Sequence, residues 1–132
     1  MLRVDKIILA ILAIEHLGFG IYGFYSPEGI AELTGYALNS EFAYSEIRAY
    51  YTLISGLGLM AFLAIFIHKL ARQTYILFSF MFGCIFLGRL ANYLLTGQMD
   101  NSIMIAMIAE ALVIVLSLWR LASSKNRSAV EV

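Results

Sequence analysis

Four long runs of apolar residues dominate the chain: Ile7–Tyr25, Ile47–Ile67, Tyr75–Leu95 and Ile103–Leu121. A bilayer hydrocarbon core about 30 Å thick takes about 20 residues at helical rise, and each run is close to that length. Barrel strands would read instead as alternating segments of about 10 residues, which do not occur here. The pattern predicts an all-α integral membrane protein, a four-helix bundle forming one domain over residues 1–122, with a cytoplasmic tail at 123–132. Arg3 and Lys6 ahead of Ile7–Ile14 have the outline of a signal peptide. Glu15-His16 interrupts that run, no A-x-A step follows, and apolar character resumes to Tyr25, so the segment reads as a retained span.

The connections between spans differ in chemistry. Spans two and three are joined by a short basic turn, His68–Thr74, and spans three and four by Thr96–Ser102, which holds no base. The longest connection, Ser26–Glu46, opens Ser26-Pro27-Glu28. That is the order of an N-cap, a proline at the first helical position and an acid in the first turn. It predicts a short interfacial helix reaching Leu33 and ended by Gly35. The acids Glu28, Glu32 and Glu41 of this connection face no base within it.

Composition agrees with the pattern. The chain is 61% hydrophobic and 14% charged, whereas a soluble domain carries roughly 25% charged residues. Nine basic and nine acidic residues balance, which leaves no electrostatic footprint for a nucleic-acid partner. A single cysteine, Cys84, excludes an intrachain disulfide and an all-cysteine metal site. If the spans alternate, Arg3, Lys6, Lys69, Arg72, Arg120, Lys125 and Arg127 share one side, seven of the nine bases. Positive charge collects inside, so both termini are expected in the cytoplasm. Tyr25, Tyr50, Tyr51, Tyr75 and Tyr93 near span ends fit the aromatic belt at the membrane interface.

The candidate chemistry lies in polar residues at membrane depth: Glu15 and His16 in span one, Arg89 and Asn92 in span three, and Glu110 in span four. Glu46 and Arg48 sit at the mouth of span two. A charge at the bilayer centre costs at least about 2.5–3.5 kcal/mol, so such residues turn inward and find partners. Arg89 lies roughly 9 Å and Glu110 roughly 10 Å from the same end of two spans joined by a short loop. An Arg89–Glu110 ion pair is expected, with Glu15 within reach and Arg48 completing a cluster.

Helical faces group the same residues. Span two aligns Arg48, Thr52 and Ser55, span three Cys84, Gly88 and Asn92, and span four Ser102, Ala106 and Glu110. Span one carries Glu15, Gly18 and Tyr22 on one face and His16, Gly20 and Gly23 on the next. Small residues allow membrane helices to approach closely. Each feature also has a plain structural reading: the ion pair as a lock, His16 as a hydrogen-bonded core histidine, Cys84 as a small packing residue. One histidine among scattered carboxylates gives no metal site.

The sequence resembles a known family. A glycine-rich first span, Ser26-Pro27-Glu28, Leu33-Thr34-Gly35, Glu46-Ile47-Arg48-Ala49-Tyr50-Tyr51, Gly88-Arg89 and a glutamate in span four follow in order. The order is similar to that of a bacterial four-span membrane family catalogued as domain of unknown function 4345, over most of residues 1–121. The resemblance implies the fold, a bacterial inner membrane location, and a polar signature of Glu46, Arg48, Arg89 and Glu110. It implies no activity. The family pattern has two glycines soon after its Glu-x-Arg element where this chain has Tyr51-Thr52, which leaves close packing at that point open.

Two functional readings follow. In the first, the bundle holds a pocket for a small lipophilic molecule, lined by Glu15, Arg48, Arg89 and Glu110. A carboxyl group in apolar surroundings can trade a proton, so Glu15 is the candidate acid or base, with His16 or Tyr22 assisting. Arg48, Arg89, Asn92, Glu110, Tyr22 and Glu46 are the candidate ligand-binding residues. In the second, the protein is a non-enzymatic accessory subunit of a larger membrane complex, or self-associates, along the glycine face Gly18-Gly20-Gly23. Transport ranks last, because no inverted repeat or broken span is present. No cofactor is implied: paired haem histidines, Cys-x-x-Cys, a Gly-rich phosphate loop and Gly-x-Ser-x-Gly do not occur.

Overall fold

The apolar runs fold as helices longer than the runs themselves. The computed structural model describes residues 3–128, with side chains through Ser123. Its elements are α1 (Arg3–Tyr25), α2 (Pro27–Thr34), α3 (Glu41–Phe66), α4 (His68–Thr96) and α5 (Asn101–Ser128). Helices α1, α3, α4 and the Asn101–Ser123 part of α5 are long and apolar enough to cross a membrane. Two compact units divide the chain, Met1–Ala71 and Arg72–Val132.

The extra length has local causes. Ser40 caps α3, its Oγ accepting the Ala43 N–H at 3.2 Å, so the helix starts ahead of its apolar run. Asp100 does the same for α5 by accepting the Ile103 N–H at 2.8 Å. The basic segment His68–Thr74, expected as a turn joining two apolar runs, is instead the opening of α4, separated from α3 by Ile67 alone. Lysine, arginine and glutamine are good helix formers, and nothing in that segment breaks a helix. Helix α5 continues to Ser128, so the start of the expected tail is helical; positions 129–132 lie outside the described residues. Helix α2 ends where the sequence indicates, at Gly35, whose φ of 77° is the left-handed conformation glycine adopts without strain. Ser26 stands at the N-cap position, but its side chain makes no capping bond.

In the first unit, α1 and α3 run antiparallel at backbone contact. A Cβ at Gly58 would stand 2.5 Å from the Leu17 nitrogen, and one at Gly20 would stand 2.6 Å from the Ser55 nitrogen. One at Gly23 would enter the Tyr51 ring. Lipid tails are as apolar as leucine, so close van der Waals contact, rather than burial from water, holds such helices together. Close packing is kept at Tyr51, where the family's glycines are absent: the small residue sits on the other helix, and the Tyr51 ring fills the space over Gly23. Helix α2 docks on this pair through buried Pro27 and Ile30. The Tyr22 hydroxyl lies over Gly29.

In the second unit, α4 buries Thr74, Tyr75, Phe78 and Phe82, with the last two rings stacked at 5.8 Å. Helix α5 buries Glu110, Val113, Ser117 and Arg120, a single face at helical spacing. Gly83 and Gly88 open onto free space. Cys84 is exposed rather than packed, because the face carrying Phe78 and Phe82 lies on the opposite side of the helix.

Candidate functional site

A cavity of about 300 Å³ lies between the segment after Gly35 and the first turns of α3. The α3 side is built by helical spacing: Ala43, Glu46, Ile47 and Tyr50 fall at i, i+3, i+4 and i+7, one face of the helix. Tyr51 borders the same face, and Tyr36 and Leu38 form the opposite wall. The rings of Tyr50 and Tyr51 meet edge to face, 5.2 Å between centroids and 87° between planes. Glu46 is the charged residue of the lining. Arg48, two residues on, is not part of the lining; its guanidinium lies 5.8 Å from the centre of the Tyr44 ring.

The span-one candidates separate. His16 is buried, and its Nδ1 donates to the Leu12 carbonyl at 2.8 Å. A carbonyl only accepts, so the proton sits on Nδ1. Its backbone forms part of the helix crossing at Gly58. Glu15 is exposed. Tyr22 is engaged over α2, about two turns from Glu15, and braces that helix. The α1–α3 register sets Gly20 against Ser55 and Gly23 against Tyr51. Glu15 is then level with the region of Met60, about 18 Å along the axis from Arg48. The expected approach of Arg48 to Glu15 is not made. Of the glycines expected to form an exposed docking face, Gly20 and Gly23 are buried under α3 and only Gly18 is open.

In the second unit, Arg89 and Glu110 are joined directly, Arg89 Nε donating to Glu110 Oε1 at 2.8 Å. The arginine side chain keeps 32% of its surface exposed and the glutamate 8%. Glu110 Oε2 and Ser117 Oγ are buried without a hydrogen-bond partner among the described residues. Asn92, one turn beyond Arg89, is exposed. Arg120, which the charge count treats as a free cytoplasmic base, has only 5% of its surface exposed and lies 5.1 Å from the Trp119 ring centre. No group of three or more metal-ligating side chains occurs among the described residues.

Sequence reasoning names Glu46, Arg89, Glu110 and His16 but misses two groups. Tyr50 and Tyr51 read as interfacial anchors and Tyr36 is not singled out, although Glu46, Ile47 and Tyr50 share a helical face with a visible i, i+1, i+4 pattern. Ser117 and Arg120 continue the Glu110 face by i+7 and i+10 spacing.

No curated protein and no solved structure matches the chain. A family model described as Domain of unknown function (DUF4345) matches residues 4–121, nearly the whole length, and the chain belongs to that family.

Proposed function

We propose that the chain is a multi-pass protein of the inner membrane, both termini cytoplasmic, that binds a small lipophilic molecule in the groove beside the start of α3. The groove carries this reading. Ligand sites are concave, mostly apolar, about 300–1,000 Å³, with few placed polar groups. A cavity of about 300 Å³ walled by Leu38, Ile47 and tyrosines, with Glu46 as its charged member, has that composition. The orientation rests on the seven bases that share one side. The groove takes Glu46 from the expected ligand set. Arg89, Asn92 and Glu110 then serve the second unit, and Glu15 has no assigned proton transfer.

Native mass spectrometry on protein extracted gently from its own membrane tests the reading. A stoichiometric small molecule, lost in a folded Tyr50→Ala variant, supports it, and a bare wild-type chain contradicts it. One observation favours the alternative, a non-enzymatic accessory subunit whose charges are structural: Arg89 and Glu110 already satisfy each other directly. In that case the wild-type chain carries no small molecule and co-purifies with a defined partner protein.

A further inference from the structure

We infer that the groove recognises a quaternary ammonium group, such as the trimethylammonium end of a small amphiphile. This inference rests on the reading of the groove as a ligand site. Three tyrosines, Tyr36, Tyr50 and Tyr51, border the cavity, and the rings of Tyr50 and Tyr51 meet edge to face at 87°. Aromatic faces are negative at the centre, and cages of such rings hold quaternary ammonium groups through cation–π attraction. The same lining supplies one carboxylate, Glu46, as counter-ion.

The surrounding charge has the matching sign. Positions 26–46 contain Glu28, Glu32, Glu41 and Glu46 and no lysine or arginine. The nearest base in sequence, Arg48, is not in the lining, and its guanidinium lies 5.8 Å from the centre of the Tyr44 ring. An anionic head group would meet a carboxylate there with no base in the lining. A primary ammonium needs up to three hydrogen-bond acceptors, whereas a methylated one needs none and fits a wall of rings with a single carboxylate. Leu38 and Ile47 leave apolar surface for the first carbons of an attached chain.

The ammonium can come from a lipid head group or from a free small molecule, and the test separates the two. The full chain in maltoside micelles is titrated calorimetrically with choline and with octyltrimethylammonium. Each is run beside its neutral carbon isostere, 3,3-dimethylbutanol for choline and an octyl chain ending in tert-butyl for the amphiphile. The cation is expected to bind at least about ten-fold tighter than its isostere. Glu46→Gln and Tyr50→Leu should each remove most of that preference while helicity is unchanged. Binding of choline itself marks a free ammonium compound, and binding that requires the octyl chain marks an amphiphile or lipid head group. Equal binding of cation and isostere, lost in Tyr50→Leu, overturns the ammonium assignment and leaves the lipophilic reading standing. A cation preference unaffected by either substitution places the site elsewhere and overturns the proposal. No binding by any of the four compounds overturns both readings.

Discussion

The two units of this chain hold their helices by opposite means. In the first, α1 and α3 touch through glycines, so that even a methyl group at Gly58 would collide with the facing backbone. In the second, the glycines Gly83 and Gly88 face open space, and an ion pair joins Arg89 to Glu110. Packing of the first kind is tolerant of polarity and intolerant of volume. The second kind is the reverse, because removing one charge strands the other. The groove belongs to the volume-sensitive unit, beside α3 where its backbone is held against α1, which gives its tyrosines a rigid base.

Five substitutions sharpen that contrast. The largest effect is expected from Arg89→Met, which leaves Glu110 buried with neither oxygen partnered; breaking such a pair costs about 3–5 kcal/mol. The double variant Arg89→Met with Glu110→Leu should recover most of that loss, measured by helicity through a detergent-unfolding titration. If the single and double variants unfold together, the pair is not what holds the second unit. Next comes Gly58→Ala, where the added Cβ meets the Leu17 backbone; overpacking costs about 1–3 kcal/mol. Gly88→Ala should go the other way, gaining up to about 1 kcal/mol because alanine favours the helix and nothing obstructs it. Equal effects at Gly58 and Gly88 would remove the distinction between the units. Smallest in stability is Glu46→Gln, an exposed position expected to stay within about 0.5 kcal/mol while ligand retention falls.

Much of the fold was legible because it depends on length and hydropathy alone. The four apolar runs became α1, α3, α4 and α5, and Pro27 and Gly35 bracket α2 as their backbone preferences require. The level of Arg89 against Glu110 also followed from helical rise, and the two groups stand 2.8 Å apart. Helix ends were less legible: the break between apolar runs suggested a turn at His68–Thr74, but good helix formers carry the helix through it. The candidate site was read least well. Polarity at membrane depth singled out Glu15, which is exposed, and could not show that Arg48 is not part of the lining that holds Glu46. A groove arises where an irregular segment, residues 36–38, meets a helix face. No periodicity encodes where such a segment lies.

The most direct test of the central claim is photolabelling. The full chain in nanodiscs would be exposed to a diazirine-bearing octyl amphiphile at low occupancy, and the labelled peptides mapped by mass spectrometry. Saturable label is expected between Tyr36 and Tyr51, lost in Tyr50→Ala and retained in the Arg89→Met, Glu110→Leu double variant. Label that spreads evenly over the lipid-facing helices, or that concentrates around Arg89 and Glu110, would contradict the claim.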